Sequence, residues 1–183
     1  MKTHVLRNVI SLALTVALAS TAWASDLSTQ ARLPADMRDR AQKAADEFKA
    51  GHFDAAADLY QSIINAHPDS LYAWSNLGVV RFQEGQLDDA RDAFRHALTL
   101  NPKDELVLID LGIVYYQLNL FPRAIQCLQT AVAINPGDAS AHRFLSSAYD
   151  KDGKTQEAQV ELQKARELDS EKAQDGQLIP GHD

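Results

Sequence analysis

Residues 71–104 read LYAWSNLGVVRFQEGQLDDARDAFRHALTLNPKD, and residues 105–138 read ELVLIDLGIVYYQLNLFPRAIQCLQTAVAINPGD. The two stretches follow one pattern of 34 residues, since the Leu-Gly pair at 77–78 returns at 111–112 and both stretches end in Asn-Pro-x-Asp. The same step continues outward and aligns four alanines: Ala56, Ala90, Ala124 and Ala158. A fixed period of this length is typical of repeat proteins, so the array is predicted to span about residues 37–172.

Each repeat carries the signals of two helices joined by a tight turn. Residues that accept a positive φ recur where the first helix of a pair should end: Gly51, Gly85, Asn119 and Gly153. Side chains that cap helix N-termini recur between repeats: Ser70, Asp104 and Asp138. Small residues recur where paired helices should approach each other: Ala44, Gly78, Gly112 and Ser146. The pattern predicts an all-α stack of antiparallel helix pairs, and one pair alone could not bury both of its faces.

The repeated residues resemble the tetratricopeptide repeat, whose pattern is W-x2-L-G-x2-Y followed by A-x3-F, A and P. The first copy has Trp74, Ala90, Phe94, Ala97 and Pro102 at these places, and the second restores the tyrosine as Tyr115. The resemblance implies a right-handed α-solenoid of about four units, near residues 37–70, 71–104, 105–138 and 139–172. It also implies a concave binding surface, but neither a particular partner nor a reaction.

The two ends of the chain differ from the array. Lys2 and Arg7, an apolar run over about 9–19 and the small-x-small pattern at 22–24 predict a cleaved secretory signal peptide over residues 1–24. The apolar run is shorter than the roughly 20 residues of a membrane-spanning helix, which disfavours an anchor. A flexible leader over 25–33, a solenoid domain over 34–172 and a disordered tail over 173–183 are predicted to follow. Residues 34–50 could form either a full repeat helix or a cap.

The net charge and the predicted location limit the class of partner. The full chain of 183 residues has a formal net charge of −7, and loss of Lys2 and Arg7 with the signal peptide makes it −9. An acidic domain disfavours nucleic acid as a partner. Together with the predicted signal peptide, this charge predicts a periplasmic protein with no membrane insertion after signal cleavage. Its predicted partners are other proteins or peptide segments of the cell envelope.

No catalytic or metal-binding pattern is apparent in the sequence, so we predict a protein that is not an enzyme, with no catalytic residues, no metal and no cofactor. The histidines lack metal-ligand spacing and are interpreted as surface or packing residues, with His142 at the position of the repeat's tryptophan. Residues 150–161 only superficially resemble a calcium loop, because the glycine at 153 stands at loop position four instead of six. Cys127 could be an apolar filler or could form an intermolecular disulfide in an oxidising compartment.

The resemblance places the binding groove on the first helix of each pair. The groove residues that it implies, or that follow from the composition of these helices, are Tyr72, Asn76, Val79, Phe82, Leu106, Ile109, Asp110, Ile113, Tyr116 and Arg143. The family's clamp for a C-terminal carboxylate is absent. Its positions fall on Ala41, Ala45, Asn76, Leu106 and Asp110, and only the asparagine fits.

The helix predicted over 106–116 is apolar around its whole circumference except for Asp110. Such a helix needs cover on every side, so its groove face is expected to be an exposed apolar patch that binds a partner, unless superhelical curl, the leader or the tail covers it. The predicted function is a scaffold or adaptor that binds an apolar or amphipathic peptide segment, with a basic or amide group of that segment at Asp110. The alternative is a regulatory or assembly subunit of an envelope complex whose groove is filled by homo-oligomerisation.

Overall fold

The computed structural model describes residues 33–177, the last four of them by their backbone alone. The predicted signal peptide over 1–24, the leader up to residue 32 and the end of the tail over 178–183 lie outside the described residues. Leu33, the last residue of the predicted leader, packs against the core of the first helices. No helix in the described part of the chain is long and apolar enough to cross a membrane.

Residues 33–177 form eight α-helices and no strand. The chain divides into two compact units, the first ending at Pro102 and the second beginning at Lys103. The first unit contains α1 (Ala35–Lys49), α2 (Phe53–Ala66), α3 (Leu71–Gln83) and α4 (Leu87–Leu100). The second contains α5 (Glu105–Gln117), α6 (Phe121–Ile134), α7 (Ala139–Lys151) and α8 (Thr155–Gln177). Successive helices pack against each other within each unit, which confirms the all-α class.

The caps that the sequence predicts are formed. Ser70 Oγ accepts a hydrogen bond from Ala73 N (3.2 Å), and Asp104 Oδ1 accepts one from Val107 N (3.1 Å). Asp138 Oδ1 accepts one from Ser140 N (2.7 Å). Each bond satisfies a backbone N–H that the first turn of a helix leaves without a partner, so these residues fix where α3, α5 and α7 begin.

The turns inside the pairs have the predicted backbone. The second residue after the first helix of each pair takes a positive φ at Gly51, Gly85 and Gly153, and Asn119 takes the same conformation with φ 59°. Asparagine is one of the few other residues that adopt it readily. Pro122 lies in the first turn of α6, where its missing N–H costs nothing. Local sequence therefore determines each reversal of the chain.

α1 and α8 border the array, and α8 corrects one predicted boundary. α1 has 15 residues, packs against α2 and buries one stripe, Met37, Ala41, Ala44 and Ala45. α8 continues to Gln177, and residues 173–177 are therefore helical instead of the start of a disordered tail. Composition accounts for the extension as far as residue 175, because residues 171–175 (EKAQD) contain neither glycine nor proline to end the helix before Gly176.

Glycine allows the closest approach between paired helices in the second and third repeats. A Cβ placed on Gly78 would lie 2.7 Å from Cε1 of Phe94, and one placed on Gly112 would lie 2.7 Å from Cγ of Leu128. The corresponding residue of the last repeat is Ser146, whose hydroxyl donates to the carbonyl oxygen of Ala158 at 2.7 Å. The repeated small residue thus serves the contact between the two helices of a pair.

Candidate functional site

Five of the predicted groove residues lie on one side of α5. The α5 stripe is defined here as Leu106, Ile109, Asp110, Ile113 and Tyr116. Each of them lies three or four residues from another member, which places them on the same side of a helix. The whole stripe belongs to the second unit. Within that unit, α5 packs against α6 and α7.

The α5 stripe is exposed only at its ends. Leu106 is 38% exposed and Tyr116 is half-buried, whereas Ile109 and Ile113 are 2% and 1% exposed. The expectation that this face is an apolar patch exposed along its length was therefore wrong. α5 is buried continuously from Val107 to Tyr115, as a helix that is apolar on every side must be in water. The accessible part of the stripe is Leu106 at one end and Tyr116 at the other.

Asp110 is a carboxyl group in the middle of this apolar helix. Its side chain is 5% exposed, and its Oδ1 atom has no hydrogen-bond partner among the described residues. Burial raises the pKa of Asp110 well above the ordinary value of 3.8, and the negative charge of Asp104 adds to the effect. A polar atom buried without a partner costs stability, so packing alone does not account for an aspartate at this position.

Tyr116 marks the other end of the stripe. Its ring packs edge to face against Phe121, with 5.7 Å between the centroids. Burial raises the pKa of the Tyr116 hydroxyl, and the charge of Asp150 on α7 raises it further. The accessible surface near Tyr116 therefore combines an aromatic ring with a nearby negative charge.

Arg143, the groove residue predicted on α7, is engaged inside the second unit. Its Nη1 atom donates to Oδ2 of Asp169 on α8 at 2.5 Å, and its Nη2 atom donates to Ser140 Oγ at 3.4 Å. Both members of the ion pair are about half exposed, so the pair contributes little stability. It nevertheless directs the guanidinium group toward α8.

The four groove residues predicted on α3 lie in the first unit. Tyr72 is half-buried and contacts the ring of Tyr60 edge to face, with 6.1 Å between the centroids. Asn76 Nδ2 donates to the carbonyl oxygen of Tyr72 at 2.8 Å, so its amide group is used within its own helix. Val79 and Phe82 are buried. Tyr72 and Asn76 are the partly accessible members of this set.

Trp74 and His142, which occupy the same position of their repeats, share one structural role. Trp74 Nε1 donates to the carbonyl oxygen of Pro68 at 2.9 Å, and His142 Nε2 contacts the carbonyl oxygen of Pro136 at 3.1 Å. Both rings lie six residues after the proline, and a ring N–H that closes the inter-repeat turn explains why histidine replaces tryptophan. His142 is buried, which confirms its interpretation as a packing residue. The common spacing from proline was the signal that could have revealed this role.

Carboxylates of the superficial calcium loop are engaged in other contacts. Asp152 pairs with Lys154 at 2.8 Å, and Glu161 Oε2 lies 2.6 Å from His142 Nδ1. Gly153 forms the turn between α7 and α8. Among the described residues, no three His, Cys, Asp or Glu side chains are grouped so that they could hold a metal ion.

Cys127 lies half-buried on α6, and burial raises the pKa of its thiol to about 11. Relative to a pKa of 9.0, this shift lowers the thiolate fraction at neutral pH about a hundredfold. A more basic thiolate is also more nucleophilic, which raises the reaction rate again by roughly tenfold. We therefore expect Ellman's reagent to modify the native chain about tenfold more slowly than the urea-unfolded chain at the same pH. Equal rates would contradict this assignment. A slowly reacting thiol favours the apolar filler over the intermolecular disulfide.

Comparison with known proteins agrees with this architecture. Two sequence models of the tetratricopeptide repeat match the chain, one over residues 41–105 and one over residues 81–148. No curated protein sequence matches it significantly.

Solved structures of MamA have a similar fold. MamA MSR-1 is 22% identical, with 86% of this chain and 98% of that chain aligned at a TM-score of 0.68. MamA AMB-1 is 23% identical over 86% and 95% of the two chains, also at 0.68. MamA from Desulfovibrio magneticus RS-1, residues 41 to the end, is 19% identical over 71% and 73%, again at 0.68. These likenesses show a shared α-solenoid fold. Together with the two sequence models they establish that the chain belongs to the tetratricopeptide repeat family.

Proposed function

We propose that the chain is a non-enzymatic scaffold of the bacterial periplasm that binds an apolar or amphipathic peptide segment of envelope proteins on the α5 stripe. Repeats of this family support a role in protein interaction, whereas the ligand class and the location are the proposal. The observation that carries it is the α5 stripe itself, in which an apolar helix has an exposed leucine at one end and a half-buried tyrosine at the other. Tyrosine is enriched among the residues that dominate binding energy in protein interfaces, and Tyr116 is the accessible aromatic end of the stripe.

The proposed location rests on the N-terminal sequence. Lys2 and Arg7 precede an apolar run and a small-x-small site, the order that a signal peptidase requires. An exported chain of net charge −9 would meet envelope proteins as its partners. Fractionation of cells that express the chain, with N-terminal sequencing of the product, tests this part: a periplasmic product that starts at Ser25 is expected, and a cytoplasmic product that retains Met1 contradicts it.

The test of the binding surface changes its accessible ends, Leu106 and Tyr116. A charged side chain at Ile109 or Ile113 would instead unfold the buried helix. The purified chain is panned against peptides of about 15 residues tiled over envelope proteins, and the affinities of recovered peptides are measured by fluorescence anisotropy. Leu106→Glu combined with Tyr116→Glu is expected to weaken binding by at least about tenfold, since it places charge at both anchors.

Val160→Glu is the matched control, because Val160 is 67% exposed on α8 and lies off the stripe. It should leave the affinity unchanged, and circular dichroism should show native helix content for every variant. If the double variant retains full affinity while folded, the α5 stripe is not the binding surface. Light scattering on the same samples tests the alternative: a dimer that the double variant dissociates would assign the stripe to a second copy of the chain.

A further inference from the structure

The carboxyl group of Asp110 is the feature of the second unit that packing does not explain. It is buried in the middle of α5, and its Oδ1 atom has no hydrogen-bond partner among residues 33–177. Leucine or isoleucine, which occupy neighbouring positions of the helix, would fill the same space without leaving a polar atom unsatisfied. A carboxyl group kept at such a position is suited to an interaction that forms only when a partner is bound.

The charges around Asp110 favour a cationic partner group. The charge that acts on this carboxyl is the negative charge of Asp104, so it opposes ionisation. Three basic side chains of the second unit are directed elsewhere: Arg143 pairs with Asp169, Lys154 pairs with Asp152, and Arg123 lies over the ring of Tyr115. A cation from another molecule would supply the missing charge and the missing donor at once.

The position of Asp110 on the helix shows how such a group could reach it. Asp110 follows Leu106 by four residues, so the two side chains are neighbours on one side of α5. Leu106 is the exposed end of the stripe. A lysine or arginine side chain could lay its aliphatic stem along Leu106 and direct its charged end toward the carboxyl group.

We propose that Asp110 determines the specificity of the α5 stripe by binding a lysine or arginine side chain of an otherwise apolar partner segment. This inference rests on the proposed function, because it names the chemistry of the segment that the stripe binds. A basic group is favoured over a neutral amide, since a hydrogen bond to a carboxylate from a charged donor is about twice as strong as a bond between neutral groups.

The test uses two labelled peptides of about 15 leucine and alanine residues that differ only in the central residue, arginine in one and glutamine in the other. Anisotropy titrations compare the wild-type chain with Asp110→Asn and Asp110→Leu, and with Asp58→Asn, which removes the same charge from an exposed position on α2. The wild-type chain and Asp58→Asn are expected to prefer the arginine peptide by about tenfold or more. Both Asp110 variants should lose the preference while keeping the affinity for the glutamine peptide within about twofold.

The outcomes separate the two proposals. If the wild-type chain binds both peptides equally and Leu106→Glu with Tyr116→Glu abolishes that binding, the stripe binds apolar segments and the role of Asp110 is wrong. If the arginine preference persists in Asp110→Asn, another acidic residue recognises the cation and the inference fails. If neither peptide binds the wild-type chain, both the proposed function and the role of Asp110 are refuted.

Discussion

Replacement of Phe94 by alanine is expected to lower the free energy of unfolding by about 3–5 kcal/mol, the largest effect among the substitutions considered. The Phe94 side chain is fully buried, and its ring lies directly over Gly78. Removal of the ring takes away its packing against Gly78 of α3 and leaves a cavity between α3 and α4. Urea titration followed by circular dichroism measures the change as a shift of the midpoint at constant slope. Val160→Ala, on an exposed position, should change the stability by less than about 0.5 kcal/mol.

The effect of Gly78→Ala on stability is expected to change sign when Phe94 is replaced by alanine. Gly78→Ala places a Cβ 2.7 Å from the Phe94 ring, and crowding of this kind costs about 1–3 kcal/mol, partly offset by about 1 kcal/mol of improved helix propensity. In the Phe94→Ala background the crowding disappears and only the gain in propensity remains. Gly78→Ala should therefore destabilise the wild-type chain and stabilise the Phe94→Ala variant. The same sign in both backgrounds would show that the ring does not pack on this glycine.

The second large effect is a gain of stability. Asp110→Leu is expected to raise the free energy of unfolding near pH 7 by about 1–3 kcal/mol, because it removes a buried carboxyl group whose Oδ1 has no partner in the described part of the chain. The gain should depend on pH with a definite sign. Burial raises the pKa of Asp110 in the folded state above 3.8, so the folded chain holds more protons than the unfolded chain once the pH exceeds that value.

It follows that Asp110 makes the wild-type chain less stable as the pH rises from about 4 toward the raised pKa. The difference in stability between Asp110→Leu and the wild-type chain should therefore be larger near pH 7 than near pH 4, and other titrating groups cancel in that difference. Urea titrations of both proteins at the two pH values measure it. A leucine variant that is less stable than the wild type near pH 7 would show that Asp110 has a stabilising partner.

Asp110 is expected to lower the stability of the folded chain, and such a cost is also expected of a residue whose role is in binding. Sites that serve function commonly break a local rule of packing at some cost in stability. If Asp110→Leu is more stable and no longer selects an arginine peptide, the same carboxyl group accounts for both effects.

Local sequence was sufficient to predict most of the fold. The turns depend on the backbone conformation that single residues prefer, and they are present as expected at Gly85 and Asn119. The cap at Asp104 depends on the hydrogen bond that its side chain accepts, and it is also present. The family assignment followed from residues that repeat at a fixed period, such as Gly78 and Gly112. Their contacts with Phe94 and Leu128 explain why the period preserves a small residue there.

The candidate site was predicted less completely, because burial and side-chain direction depend on tertiary packing. The spacing placed Ile109 and Ile113 on the groove side of α5, yet spacing alone could not show that both are buried. Arg143 fitted the groove by position, but its long side chain pairs with Asp169, which is 26 residues away in sequence. Asp110 was singled out correctly as the polar exception in an apolar helix, whereas the lack of a partner for its Oδ1 atom could be seen only in the folded chain.

The central claim is that the exposed end of the α5 stripe binds another protein in the cell. A photoreactive amino acid incorporated at position 106 tests it most directly, with position 160 on α8 as the exposed control. Irradiation of living cells is expected to join position 106 to a discrete envelope protein, to leave position 160 without that product, and to lose the product when Tyr116→Glu is added. Equal products at both positions, or products at position 106 that contain only a second copy of this chain, would contradict the account.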